Sequence, residues 1–159
     1  MLHALVQSQV FIIAEAGVNH NGRLDLAKQI VKSAKEAGAD AVKFQTWKTE
    51  NLIVKGTKTA GYQKSNTGED DQFSMIKKLE LSYEDFIEIK EYADSLNILF
   101  FSTPDEEEIL DFLVDKLDLP LVKIGSGELT NLLYLRKIAQ KGKPIVISTG
   151  MGNMAEVRE

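Results

Sequence analysis

Several features that would identify common protein classes are absent from this sequence of 159 residues. It has no cysteine, which excludes disulfides, thiolate metal sites and a cysteine nucleophile. No apolar run is long enough to cross a bilayer, and the first ten residues lack the basic start and apolar segment of a signal peptide. The net charge of −5 argues against a nucleic-acid surface. We therefore expect a cytoplasmic protein that binds neither nucleic acid nor a membrane.

Short apolar runs recur along the chain, and stretches with helical spacing lie between them. From Leu24 to Gly38, for example, apolar residues recur at intervals of three and four. Continuous apolar runs of this length are typical of parallel strands that are buried on both faces. The expected strands are Val10–Ala14, Ala41–Thr46, Ile98–Ser102, one that begins at Leu121, and Pro144–Ile147.

Capping patterns predict where several helices begin. Ser82 with Asp85 has the pattern of a capping box. Thr103 as N-cap, with Pro104 at the first helical position, predicts the start of the next helix. The weakly patterned segment 47–78 predicts a long loop of the kind that is usually functional. Further helices are expected over Phe73–Leu81, after Asn131 and after Asn153.

Alternation of strands and helices predicts an α/β fold with a parallel sheet. No G-x-G-x-x-G motif follows the first strand, which weakens a dinucleotide-binding interpretation. Polar residues instead follow successive strands, which is how a TIM (β/α)₈ barrel builds its site. About five βα units do not close an eight-stranded barrel. We therefore expect residues 1–159 to form the N-terminal portion of a longer TIM-barrel domain.

Two lysines, Lys43 and Lys123, stand inside predicted strands. A lysine among apolar neighbours is costly unless it meets a negative partner. Lys123 is followed by the turn 125–127 (Gly-Ser-Gly) and then by a helix N-terminus, where backbone N–H groups favour anions. This pattern predicts a phosphate or carboxylate site at the end of the fourth strand. The sequence leaves open the alternative that Lys123 extends to solvent and the glycines only turn the chain.

Five motifs, in their order and spacing, resemble the N-terminal half of the sialic acid synthase family: IIAEAGVNHNG, AVKFQT, FSTP, VKIGSGE and VISTGM. The family includes N-acetylneuraminate, legionaminate and pseudaminate synthases, and segment 60–81 looks nearer the legionaminate type. The resemblance implies a TIM barrel followed by a small antifreeze-like domain that reaches the partner's site in a homodimer. It implies condensation of phosphoenolpyruvate with an N-acylated amino sugar, which releases phosphate, forms a nine-carbon 2-keto acid and uses a divalent metal, usually manganese.

The resemblance also implies roles for individual residues. Cations and hydroxyl groups would hold phosphoenolpyruvate, namely Lys43, Thr103, Lys123, Ser126 and Ser148. Two amides would hold the amino sugar, namely Gln45 and Asn66. The implied catalytic acids are Glu15, at the reacting end of the sugar, and Glu128, beside the metal and water.

Some of these residues have simpler structural explanations. Thr103 is also the expected helix cap, and Asn66 could cap a turn in the irregular loop. Ser148 could merely begin the last helix. His20 is better explained as fixing the turn 19–22 than as a metal ligand.

The family's metal-binding histidines lie on later strands, and this sequence has only His3 and His20. We therefore expect no metal ligands and no synthase activity in these 159 residues alone, although the phosphate half-site would remain. Two alternatives stay open: a related phosphoenolpyruvate aldol-type synthase of a shorter keto sugar acid, and a non-catalytic half barrel for binding or assembly. A half barrel would expose two sheet edges and an apolar inner face, so we expect it to pair with itself.

Overall fold

The computed structural model describes residues 10–57 and 71–158 of the chain. Its strands are β1 (Ile13–Gly17), β2 (Ala41–Thr46), β3 (Leu99–Pro104), β4 (Val122–Ile124) and β5 (Ile145–Ile147). Its α-helices are α1 (Leu24–Glu36), α2 (Thr49–Leu52), α3 (Gln72–Leu79), α4 (Tyr83–Ser95), α5 (Glu107–Asp111), α6 (Leu132–Gln140) and α7 (Met154–Arg158). A π-helical turn, Phe112–Lys116, continues α5, and a 3₁₀ turn, Ser126–Glu128, follows β4.

The strands are parallel and follow one another in chain order across the fold. β1 pairs with β2 and β2 with β3, so that Glu15 lies opposite Lys43 and Gln45 opposite Thr103. β4 and β5 form a second, two-stranded parallel sheet, and β4 lies beside β3 without being paired with it in the described ranges. All the described strands therefore end at one side of the sheet, as the alternating sequence pattern predicts.

The core lies on both faces of the three-stranded sheet. Phe44 of β2 points toward the helices, where its ring centroid is 5.5 Å from that of Phe100. Phe101 lies on the opposite face, in register with Lys43, and is 0% exposed. Burial of each such side chain contributes about 1.5–3 kcal/mol to folding.

The inner face of the sheet is the one that carries Lys43 and Phe101, opposite the helices. The expectation that its apolar side chains are exposed is wrong for the middle of the sheet. Phe101 packs in one cluster with Leu121, which precedes β4, and with the half-buried Val146 of β5. Residues of the β4–β5 region thus contribute to the cluster that includes the fully buried Phe101.

The expectation that every strand is buried on both faces is also wrong at the two ends of the sheet. β1 begins at Ile13 rather than Val10, and Val10 and Ile12 are 84% and 53% exposed. β5 exposes both Ile145 and Ile147. Apolar runs alone do not distinguish a central strand from a strand at the edge of the described sheet.

Most of the predicted helix starts are confirmed. Ser82 and Asp85 form the complete capping box, with the Ser82 Oγ accepting from the Asp85 N–H and the Asp85 Oδ2 accepting from the Ser82 N–H. Asn131 caps α6 by accepting from the Tyr134 N–H. Asn153 accepts N–H bonds at the start of α7.

The predicted helix start at Thr103 and Pro104 is wrong. Both residues belong to β3, which runs two residues further than the expected end at Ser102. The N-cap of α5 is Glu106, whose carboxylate accepts from the N–H groups of Glu108 (2.8 Å) and Ile109 (3.3 Å). Pairing of β3 with β2 through Pro104 outweighs the local preference for a threonine cap.

The described parts of the segment 47–78, residues 47–57 and 71–78, are less irregular than the sequence predicts. α2 follows β2 closely, and α3 begins at Gln72, with Asp71 accepting from the Ser74 N–H at its start. The expected short helix over Phe73–Leu81 is therefore confirmed within one or two residues. No helix in the described ranges 10–57 and 71–158 is long and apolar enough to cross a membrane.

Candidate functional site

Lys43 is a buried cation at the carboxyl end of β2. Its side chain points to the inner face and the residue is only 6% exposed. Its Nζ lies 3.0 Å from Glu15 Oε2 on β1 and donates to Thr103 Oγ1 on β3 at 3.3 Å. The ion pair and the hydroxyl offset the cost of removing this ammonium group from water.

Lys123 occupies the equivalent place on β4 and is half-buried. Its Nζ donates to Ser148 Oγ, at the end of β5, and to the Ile124 carbonyl, both at 2.6 Å. Burial lowers the pKa of Lys123, the positive charge of Lys43 lowers it further, and Glu15 opposes the shift. Among the described residues, Lys123 forms no ion pair with a carboxylate.

The predicted site residues thus form a row across all the described strands. Glu15, Lys43 and Thr103 are in contact on the first three strands, and Lys123 contacts Ser148 on the last two. The charge of Lys43 also acts on Lys123, which links the two parts of this row. Such a row of cations and hydroxyl groups can bind a carboxylate and a phosphate at two ends of one small anion.

The remaining predicted residues lie at the margin of this row or outside it. Gln45 is two residues after Lys43 on the same face of β2 and is half-buried. Ser126 begins the 3₁₀ turn, with its Oγ facing Gly150 of the loop after β5. Glu128 ends that turn and accepts from Asn131 Nδ2 at 2.7 Å. Asn66 lies outside the described residues.

Asp105 is an acid close to this row that the sequence patterns did not single out. It directly follows β3, is half-buried, and lies within electrostatic range of Lys43 and Glu128. Burial raises its pKa to about 6, with Glu128 adding to the rise and Lys43 opposing it. The signal in the sequence that points to Asp105 is an acid that closely follows an apolar strand. The predicted helix start at Thr103 and Pro104 places this acid in the first turn of a helix instead.

His20 fixes a turn, as expected, and lies under the sheet rather than in the row. Its Nδ1 accepts from the Gly22 N–H at 3.1 Å, and its ring stacks on Phe44 with centroids 5.8 Å apart. The imidazole is fully buried, and burial lowers its pKa.

The described residues do not fit a metal centre. Ranges 10–57 and 71–158 contain no group of three His, Asp or Glu side chains that could hold a metal ion. Glu15 is held by Lys43 and Glu128 by Asn131, so neither is grouped with further acids as a ligand set requires.

The fold and the row define a class of protein: a parallel α/β half barrel whose strand ends carry a row of cations and hydroxyl groups. A profile of the NeuB family matches residues 30–159, and the chain belongs to this family. It is 54% identical over 149 residues to the N,N'-diacetyllegionaminic acid synthase of Legionella pneumophila, covering 93% of this chain and 42% of that protein. It is 37% identical over 153 residues to human N-acetylneuraminate-9-phosphate synthase, covering 96% of this chain and 42% of that protein.

Solved structures confirm the partial TIM barrel. The N-acetylneuraminic acid synthetase of Leptospira borgpetersenii superposes with a TM-score of 0.79 at 32% identity, over 95% of this chain and 48% of that one. A truncated 3-deoxy-D-arabino-heptulosonate 7-phosphate synthase from Thermotoga maritima superposes at 0.61 with 15% identity, which supports the fold alone. The chain spans less than half the length of the relatives that it matches. That it forms the N-terminal part of a longer domain stays a prediction.

Proposed function

We propose that this chain is part of a sialic acid-type synthase, which condenses phosphoenolpyruvate with an N-acylated amino sugar. The products are inorganic phosphate and a nine-carbon 2-keto sugar acid. Family membership supports the general activity, since the relatives are named as synthases. The observation that most supports a phosphoenolpyruvate site is the presence at the strand ends of two lysines that interact electrostatically and that each contact a hydroxyl group.

Phosphoenolpyruvate suits the charges and hydroxyl groups of this row. It is a small molecule with a carboxylate at one end and a phosphate at the other, and it needs cations at both. Lys43 with Thr103 and Lys123 with Ser148 provide two pairs of an ammonium and a hydroxyl group. Ser126 would add a side-chain or backbone donor to the phosphate. An anion beside Lys123 would provide the negative partner that the described residues do not supply.

The two acids and two amides complete the proposal. Glu15 is exposed beyond its ion pair with Lys43, so it can position the reacting end of the sugar or exchange a proton with it. A general acid or base of this kind contributes roughly 10²–10⁴-fold to rate. Glu128 would act beside the attacking water, and Gln45 and Asn66 would hold the amino sugar.

Relative identities favour one type of sugar. The legionaminic acid synthases of Legionella pneumophila and Campylobacter jejuni are 54% and 48% identical to this chain, against 37% for the human enzyme. We therefore propose that the product is an N,N'-diacetylated acid. A divalent metal, with manganese expected, would be bound by residues outside the described ranges. The homodimer and the cytoplasmic location stay predictions.

Substitution of Lys123 tests the anion site. In the synthase that contains this chain, Lys123→Ala should weaken phosphoenolpyruvate binding by about 1.5–3 kcal/mol, the scale for losing a hydrogen bond to a charged group. Initial rates of phosphate release at varied phosphoenolpyruvate give the Michaelis constant and the turnover. Lys32→Ala, on the exposed face of α1, is the matched control and should change neither. Unchanged constants in Lys123→Ala would exclude this lysine from the site.

A further inference from the structure

Asp105 is held firmly by its backbone while its carboxyl group has no assigned partner. Its N–H donates to the Thr46 carbonyl at 3.1 Å, at the end of β2. The Tyr134 hydroxyl lies 3.0 Å from the Pro104 carbonyl and 3.1 Å from the Glu106 carbonyl, one on each side of Asp105. In the described part of the chain, its carboxyl group accepts no hydrogen bond and forms no ion pair.

Titratable groups on three neighbouring elements act on this carboxyl group. Lys43 on β2, Glu128 in the 3₁₀ turn and Tyr134 on α6 each interact electrostatically with it. Lys43 is also engaged by Glu15 and Thr103, so its charge is shared and it does not form a dedicated ion pair with Asp105. Burial and Glu128 together raise the Asp105 pKa to about 6. The free site at pH 7 therefore holds an ionised Asp105 at some cost.

An anion bound to the row would favour the protonated form of Asp105 over the ionised form. Its negative charge would compete for Lys43, the group that favours the ionised form of Asp105, and would add repulsion of its own. A protonated carboxylic acid, in contrast, can donate its O–H to an oxygen of the anion.

We propose that Asp105 is a further binding residue of the anion site, which takes up a proton when the phosphate-bearing substrate binds and then donates a hydrogen bond to it. No bond other than the O–H forms in this step, and the proton comes from the solvent. The inference rests on the proposed function, because it concerns the same row of Lys43 and Lys123. It adds a residue that the family resemblance did not assign.

The pH dependence of sulfate binding tests this proposal directly. Sulfate stays a dianion between pH 5.5 and 8.5, so any change in its affinity over this range comes from the protein. Between the Asp105 pKa of the free site, about 6, and its higher pKa in the complex, affinity of the unaltered protein should fall by up to about tenfold per pH unit, since one proton is taken up per anion bound in this range. Calorimetry in two buffers of different ionisation enthalpy should show that proton uptake.

The Asp105→Asn variant should bind sulfate with a flatter pH dependence and without this proton uptake. The Asp105→Glu variant, which keeps a titratable acid, should restore some of the pH dependence. Asp25→Asn, at an exposed ion pair on α1, is the control and should behave as the unaltered protein. Circular dichroism at pH 8 checks the fold of each variant, and Asp105→Asn should be no less stable there.

Two outcomes of these binding experiments would contradict different parts of the proposal. If folded Asp105→Asn binds sulfate with the same slope and proton uptake as the unaltered protein, the proposal for Asp105 is wrong and the anion site stands. If neither sulfate nor phosphoenolpyruvate binds the folded, unaltered protein at any pH, the proposed anion site itself is wrong, and the role of Asp105 with it.

Discussion

Two buried lysines illustrate how single residues acquire their properties from their surroundings. Lys43 has an ion pair with Glu15 and is almost fully buried, whereas Lys123 has a hydroxyl and a carbonyl and remains half-buried. The pKa of Lys123 is lowered because burial and the charge of Lys43 both disfavour its ammonium form. The ammonium form of Lys123 is therefore sensitive to the charge of Lys43, and a nearby anion would stabilise it.

His20 provides a prediction at this scale. Because burial lowers its pKa, the folded state holds the neutral form, and protonation favours unfolding. Stability should therefore fall as the pH decreases from about 6.5, the unfolded value, toward the lower folded pKa, by about 1.4 kcal/mol for each unit of lowering. Urea unfolding at a series of pH values measures this loss.

His20→Asn is the informative variant for that measurement. Asparagine can still accept from the Gly22 N–H but does not titrate. The variant loses the packing on Phe44, so it should be less stable at pH 7.5, yet its stability should change less between pH 7.5 and 5. An equal change in both proteins would assign the acid sensitivity to other groups.

Among the secondary-structure elements, the start of α5 shows how strand pairing decides a boundary. The sequence offers a threonine cap followed by proline, but β3 continues through both residues because it pairs with β2 as far as Pro104. The helix begins three residues later, at a glutamate cap. This shift leaves Thr103 free to contact Lys43 and leaves Asp105 in the connection between strand and helix.

The cap of α5 can be tested by comparing adjacent glutamates. Glu106→Ala removes the acceptor of two N–H groups and should lower the free energy of unfolding by about 0.5–2 kcal/mol. Glu107→Ala removes only an exposed ion pair with Lys137 and should cost less than about 1 kcal/mol. Denaturant titration of both variants compares them. Equal losses would mean that Glu106 contributes no more than a surface charge.

The described part of the molecule has two adjacent parallel sheets, β1–β2–β3 and β4–β5, with unpaired outer edges. Within the described residues, β1 pairs only with β2 and β5 only with β4. Apolar side chains are exposed at these outer edges, including Ile12 on one side and Ile145 on the other. Exposed parallel edges with apolar neighbours favour association between chains.

We predict that the 159-residue chain associates with itself. Sedimentation velocity over a range of concentrations should show a mass above that of the monomer. The double variant Ile145→Lys with Ile147→Lys places charges on the β5 edge and should shift the population toward monomer. Val54→Lys, an equally apolar exposed position away from both edges, is the control and should not. A monomer at high concentration in the unaltered chain would contradict this prediction.

The sequence by itself determined the alternation of strands and helices, the capping box at Ser82 and Asp85, and the presence of lysines inside two strands. These features depend on side-chain periodicity and on contacts between residues three or four positions apart, so they can be read from local patterns. Its motifs were also sufficient to indicate the family.

Only the tertiary structure decided which groups meet. Lys43 contacts Thr103, which lies 60 positions away in the chain. The pKa of Asp105 is affected by Lys43 and Glu128, which lie on other elements. It also decided that β3 extends to Pro104 and that Phe101 is covered on the inner face. Burial and charge pairing depend on where distant segments of the chain pack. The strength of an electrostatic interaction is set by the distance between the two groups in space and by the exclusion of water. The local order of residues along the chain specifies neither that distance nor that exclusion.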